Sequence, residues 1–513
     1  TGQPFPGNII PKDRISPNGL ALLNSYPLPN LARPQGTVNW VGTPSTFDQT
    51  RKDSIKIDFV PFNNHRLAVR HTWAPHVWND PESATAFSSI WNYPGRTMAA
   101  TYTSTLSNSL INEFTFSYGS TKPARFFGQR NCDYCPGGTD LVPYPTRSQI
   151  GLNYPFLFPG TKLDPDKLSN LTIQSFSTLT LNQYPGYWYD FVFLWSDSVT
   201  KITGNHTFKA GASVERSGMK DQIQLSAAAA PSTTNQNGSF RFNDATRADG
   251  SGLAISNTLL GLFDDYTEFG TKPLTNFIGM GYDFYAQDSW KATRKLTLEL
   301  GLRLSLWQQW RDENNAIASF QSEFYNPANA VTIDRANGSI VPNTGDPFNG
   351  IVLPGDSASQ EALQLFPHLA NLSRLYHGLP PGFADDPKDG LQPRLGFAYA
   401  LTDTWTLRSG IGRFLNRPQI NNSPAYGFNP PLSDMATVIN GNVDAPGGAA
   451  RRSFPLVMAM FSPDYANASS WAWKVTTDRQ MPLQHTVQLS YVGRSASNLE
   501  RARNINQLQP GTT

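Results

Sequence analysis

The chain has 513 residues, and 41 Lys and Arg face 39 Asp and Glu for a net charge of only +2, so the basic excess that marks a nucleic-acid binder is missing and nucleic acid is excluded as a partner. Charged residues make up 16% and hydrophobic ones 39%, while 40 Gly and 40 Pro disfavour long helices. No run of 18 apolar residues occurs, which excludes a transmembrane helix but leaves a membrane crossed by strands open.

Residues 1–50 are Pro-rich and irregular, with one short helix expected near Asn18–Ser25. Alternation then begins. "DSIKIDFV" sets Ile55, Ile57 and Phe59 against Lys56 and Asp58, and "HRLAVRHTW" follows after the turn "PFNN". Period-two alternation bounded by turn residues reads as a β-hairpin. Further hairpins are expected at 97–120, at 187–218 with the turn Gly204-Asn205, at 280–306, at 392–414 and at 470–495. The pattern supports eleven strands: 53–60, 65–73, 109–118, 187–200, 206–216, 280–290, 296–306, 393–401, 405–413, 472–480 and 484–493. The clearest is 296–306, where Leu296, Leu298, Leu300, Leu302, Leu304 and Leu306 share one face and Glu299 and Arg303 lie on the other.

Short turns join strands within a hairpin, whereas long segments at about 74–96, 121–186, 219–279, 307–391 and 415–470 read as loops. Ordinary connections are about 4–6 residues. Long loops at one end and short turns at the other suit an outer-membrane barrel, because lipid tolerates no unpaired backbone and no open sheet edge. The fold class expected is therefore all-β: a large antiparallel transmembrane β-barrel with long extracellular loops and short periplasmic turns. Trp73, Trp188, Tyr189, Trp290, Trp307, Trp405, Trp471 and Trp473 at strand ends fit a membrane–water boundary. A soluble β-sandwich or propeller would also alternate, with its apolar faces buried against each other.

The two cysteines, Cys132 and Cys135 in "NCDYCPGG", read first as a loop disulfide of an oxidising compartment; free thiols, half a metal site and a redox pair are the other readings.

Several segments resemble the TonB-dependent outer-membrane receptors. In "YDFYAQDSWKATRKLTLELGLRLSLW" the resemblance is carried by Gln287, Asp288, Trp290 and Lys291, then Leu296, Thr297, Leu298, Gly301 and Arg303. "LQPRLGFAY" resembles the strand that follows in that family, and "TGQPFPGNIIPKDRISPNGLALLNSYPLPN", "YVGRSASNLE" and "NINQ" resemble its Oar-like branch. The resemblance implies a barrel of about 22 strands in the full protein, with 1–513 its partial barrel and the TonB box, plug and final strands lying beyond this piece. It implies a location in the bacterial outer membrane, with outer-membrane lipid, the TonB energy-transducing complex and an unknown extracellular ligand as partners. It implies uptake of a bulky ligand such as a peptide, protein or glycan. Surface adhesion without transport, a passive porin and a soluble secreted β-protein are the alternatives.

No motif for an enzyme is found: Gly-x-Ser-x-Gly, His-Glu-x-x-His and phosphate loops are all missing. No cofactor or metal is expected. His65 and His71 read as structural, Asp288 as a strand-end or turn-capping residue, and "NDATRADGSG" with Asp244 and Asp249 as an ordinary polar loop lacking calcium-loop spacing. The alternation places Arg66, Arg70, Lys209, Glu215, Glu299, Arg303, Arg394 and Arg408 on the lumen side, pairing with one another or lining a path.

Overall fold

The computed structural model describes the chain except for residues 1–4, 33–37, 43–45, 82–87, 128–144, 181–185, 223–234, 245–246, 271–273, 335–339, 421–426, 428, 434, 448–457, 459, 461, 502, 504 and 506–513. Alternating apolar and polar residues form twelve long strands: β1 (Asp53–Phe62), β2 (His65–Pro81), β3 (Ser88–Ser107), β4 (Leu110–Thr121), β5 (Tyr189–Thr203), β6 (His206–Gln222), β7 (Thr275–Lys291), β8 (Leu296–Trp307), β9 (Leu391–Thr402), β10 (Trp405–Asn416), β11 (Ala468–Met481) and β12 (His485–Ser497). Each pairs antiparallel with its neighbour in the chain, so the sheet is one meander in sequence order. The short strand Asp48–Thr50 extends the β1 edge by pairing with the far end of β2.

The sheet is open. β1 pairs only with β2, β12 pairs only with β11, and the two edges do not meet. This corrects the expected closed transmembrane barrel: among the described residues the chain is mostly β with several sheets, none closed. Closure requires the first and last strands to exchange backbone hydrogen bonds, and here each edge strand spends its bonds on one neighbour. Alternation in sequence dictates a two-faced sheet; it does not dictate that the ends join.

All six tight turns lie at one end of the sheet. The turn Gly204-Asn205, with Gly204 in the left-handed region at φ 54°, shows why glycine stands there. The segments at the other end are not plain loops. Two strands run through part of the expected loop 74–96, since β2 continues to Pro81 and β3 starts at Ser88. Trp73, expected at a strand end, therefore sits mid-strand opposite Arg96.

Above that end lies a folded cap. Four short strands, Met435–Ile439, Asp265–Phe269, Ser239–Phe242 and Asn170–Ile173, form a second sheet in that order. Helix α1 (Pro17–Leu23) joins it: Ser16 caps the helix by accepting from the Gly19 amide at 2.8 Å and donates to Asp444 at 2.8 Å. Leu22, Tyr154, Leu171, Phe240, Phe263 and Tyr266 form its core, all but closed to solvent. A second packed unit, built on Ile317, Ile351, Val352, Phe366 and Leu369, comes from residues between β8 and β9.

Candidate ligand cleft on the polar face

Register sorts the wall into two faces. Leu300 stands opposite Leu395, which stands opposite Ile411, which stands opposite Trp473, so one face is apolar across β8 to β11. The same face carries Ile55, Ile57, Phe114, Phe208, Phe284 and Leu489, all exposed. All eight charged candidates lie on the opposite face by the same register.

Most of those eight are engaged locally. Arg66 pairs with Asp58 and Arg408 with Asp478. Arg303 pairs with Asp283 at 2.9 Å, and Ser305 donates to the same carboxylate. Glu299 accepts from Ser289 at 2.6 Å, and Glu215 accepts from Ser217 at 2.8 Å and faces Arg417 at 3.6 Å. Arg394 lies over the Phe414 ring, 4.8 Å from its centre. Arg70 and Lys209 make no ion pair among the described residues. The structure thus distributes the eight over the face and gathers no single site from them.

Arg70 does line a cleft of about 630 Å³ at the cap end of the polar face. Small residues, Ala74 on β2, Gly95 on β3 and Gly119 on β4, leave its floor low. Lys52 and Arg70 flank one side, Asp190 on β5 and Ser217 on β6 the other, and Trp310, from the segment after β8, lines the Ser217 side beside Gly279 of β7. Trp310 is held in place by Arg417, whose guanidinium lies 3.7 Å from the ring centre and donates to the Gln308 carbonyl at 2.7 Å. The Trp310 indole N–H donates to the Pro418 carbonyl at 2.9 Å.

Next to the cleft, Trp78, Trp91, Tyr93 and Trp188 pack together with ring centres 5.0–6.2 Å apart. Trp78 and Trp91 are register partners on β2 and β3. Arg125 lies over Trp91 and donates to Ser89. The Trp188 indole N–H donates to Asp190 Oδ2 at 2.9 Å. Sequence reasoning missed this cluster because the stretch 74–96 reads as loop; period two in "HVWND" and "IWNYPG" was the available signal.

The remaining candidates fall elsewhere. Cys132 and Cys135 lie outside the described residues, no disulfide occurs among the described ones, and the disulfide expectation is withdrawn. His65 contacts Ser104 and Tyr102. Asp288, expected as a strand-end or turn-capping residue, lies three residues before the end of β7 and pairs with His206 at 2.7 Å on the apolar face. Asp244 accepts from the Ala254 amide at 2.7 Å and Asp249 pairs with Arg247 at 2.8 Å, so the two carboxylates are used separately. Among the described residues no group of three or more His, Cys, Asp or Glu is placed to hold a metal.

The cap carries its own polar centre. Lys162 and Glu268 form an ion pair at 2.6 Å, with side chains 2% and 0% exposed. Glu268 also accepts from Tyr266 at 2.6 Å and from the amides of Leu157 and Phe158 at 2.8 and 3.1 Å. Lys162 donates to the Gln236 and Phe269 carbonyls. Burial pulls the Lys162 ammonium below the usual lysine value, opposed by Glu268. Burial likewise pushes the Tyr154 and Tyr266 hydroxyls up. Every donor of the ammonium and both carboxylate oxygens are satisfied, which is how a fully buried pair is tolerated. The pair ties residues 157–162 to the cap strand Asp265–Phe269.

Among solved structures the chain is similar to the outer-membrane transporter YddB from Escherichia coli, at 9% identity and a TM-score of 0.45, covering 88% of this chain and 40% of that one. It is similar to a mutant ferric enterobactin receptor, PfeA, from Pseudomonas aeruginosa, at 9% identity and a TM-score of 0.43, covering 90% and 45%. The siderophore receptor PirA from Acinetobacter baumannii matches at 9% identity and 0.39, covering 89% and 44%. The chain spans less than half the length of these three structures. The resemblance to outer-membrane receptors and transporters is general, and at these scores carries no detail of ligand or mechanism. No curated protein matches the sequence. Residues 1–513 as a whole match the family model described as an outer membrane beta barrel domain, and the chain belongs to that family.

Proposed function

We propose that the protein acts at the bacterial outer membrane as a receptor for a bulky ligand, taken at the cap end of the wall and moved inward with energy from a TonB-type complex. One observation supports this above the others: the wall has a broad, largely apolar face that nothing in the described chain covers. Leu302 is 49% exposed, Leu395 56% and Leu489 72%, whereas the buried apolar clusters lie in the cap and in the unit between β8 and β9. Exposed apolar surface of that extent marks contact with lipid or another partner. A soluble sandwich would bury such a face against a second sheet, and the second sheet here packs within the cap. The family is one of outer-membrane proteins, in keeping with a non-enzymatic role.

Separation of inner and outer membranes from cells expressing the full-length gene tests the location. Recovery of the protein in the soluble fraction without detergent overturns the reading. Adhesion without transport is the alternative, and ligand accumulation in cells with and without the energising complex separates the two. Surface binding with no accumulation in either strain rules for adhesion.

A further inference from the structure

We infer that the cleft on the polar face binds a short extended peptide, its ammonium end at Asp190 and Thr121 and its carboxylate end at Arg70 and Lys52. This goes beyond the proposed receptor function by assigning a small-ligand site on the wall, and it rests on that reading only for how the ligand arrives.

The ammonium end is argued from orphaned atoms. Asp190 uses Oδ2 to accept from Trp188, but its Oδ1 is buried with no hydrogen-bond partner. Thr121 is the register partner of Asp190 across β4 and β5, and its Oγ1 is also buried and unpartnered. Two such groups side by side at the edge of a cleft forfeit free energy unless something fills the gap. A carboxylate oxygen only accepts and a hydroxyl can accept, so the missing group is a donor. An ammonium brings three donors and no acceptor. The Tyr93 and Trp188 rings, 5.8 Å apart beside the same carboxylate, add a π surface that attracts a cation. The nearby cations do not fill this place: Arg125 is spent on Ser89 and Trp91, and Lys122 lies over the Tyr189 ring at 5.3 Å.

The carboxylate end is argued from charge. On β1 and β2 the polar face carries Lys56, Arg66 and Arg70, and Lys56 and Arg66 both pair with Asp58. Arg70 and Lys52 then line the cleft with no ion pair of their own among the described residues. Arg70 on β2 and Asp190 on β5 are three strand spacings and four residues of register apart, roughly 19 Å between backbones. Side chains reach inward from both sides, and three extended residues span roughly 10–11 Å. The low floor of Ala74, Gly95 and Gly119 admits a main chain, and Trp310 lines its far side.

The test uses the full-length protein purified in detergent, titrated by calorimetry with trialanine, N-acetyl-trialanine and trialanine amide. Trialanine is expected to bind, and blocking either end to weaken binding by about tenfold or more, as for hydrogen bonds to charged groups. Asp190→Asn should abolish the discrimination against the N-acetyl form and keep that against the amide. Arg70→Gln should do the reverse. Both variants must melt as the parent does; Thr121→Val serves for the ammonium end if Asp190→Asn does not fold. Failure of all three peptides to bind, or binding indifferent to both end groups, overturns the inference. Either result leaves the outer-membrane reading standing, since fractionation decides that separately.

Discussion

The wall and the cap solve the problem of apolar surface in opposite ways. In the cap, Phe240, Phe263 and Tyr266 are 0% exposed and pack on each other, with Phe240 and Tyr266 stacked at 4.1 Å. In the wall, Leu300 and Leu302 stand 41% and 49% exposed on a face that no other part of the described chain covers. The cap takes its hydrophobic stabilisation from itself. The wall's apolar side chains gain theirs only from a surrounding that is itself apolar. The polar groups differ in the same sense: the cap buries an ion pair completely, while the wall leaves pairs such as Arg66–Asp58 half in water.

The largest effect that would break this comparison is in the cap. Glu268→Ala leaves the Lys162 ammonium buried beside two carbonyls and no counter-charge. Removing one member of a buried pair costs about 3–5 kcal/mol. Hydrogen exchange should show the cap amides of Ser239–Phe242 and Asp265–Phe269 losing protection while those of β8 and β9 keep it. Uniform loss across both regions would show that cap and wall unfold as one unit.

Next is the wall's apolar face. Leu302→Arg is expected to cost about 2–4 kcal/mol in a bilayer at mid-depth, the penalty for arginine on a lipid-facing strand position. The same change at an exposed position in water is within about 0.5 kcal/mol. Urea unfolding from lipid vesicles measures it, and a cost near zero would remove lipid as the partner of that face. On the opposite face, Asp283→Asn removes the charge that Arg303 and Ser305 share. A loss of about 1–3 kcal/mol is expected there, read as a lower melting temperature in detergent.

What the sequence made legible follows from range. Alternation is a local property, so Leu296 to Leu306 and the arms around Gly204-Asn205 announced their strands and faces, and Arg303 and Glu299 could be placed on one side from parity alone. Edge pairing is not local: nothing in Ile55 or Leu489 says whether a strand will meet its opposite edge, so closure cannot be read from alternation. The cap was hidden for a related reason. Its sheet joins segments from four distant parts of the chain, each only four or five residues long, too short for a period to show. Glu268 and Lys162, 106 positions apart by their numbers, gave no sign of each other. The cleft was half visible: Arg70 stood out by alternation, but Asp190 became notable only once Thr121 was seen across from it without a partner.

The smallest effect sharpens the contrast between buried and exposed pairs within the loop-derived units. Arg374 reaches Asp346 with two hydrogen bonds at 2.9 and 3.0 Å, though the arginine is 49% exposed and the aspartate 27%. The Arg374 hydrogen bond holds the Asp346 carboxyl below its usual range, against a smaller opposing effect of burial. A carboxyl depressed in the folded state binds protons more weakly there than when unfolded. The stability it adds is therefore complete above the ordinary aspartate value near 4. It is lost as the pH falls from there through the depressed folded value. Solvent screening limits it to about 0.2–1 kcal/mol. Arg374→Gln should thus lower stability slightly at pH 7, with the gap to the parent closing in acid, and 1 M salt should shrink the gap at pH 7. The Lys162–Glu268 pair, out of reach of water and ions, should answer salt hardly at all. If both pairs respond alike, the cap is wetter than its packing shows.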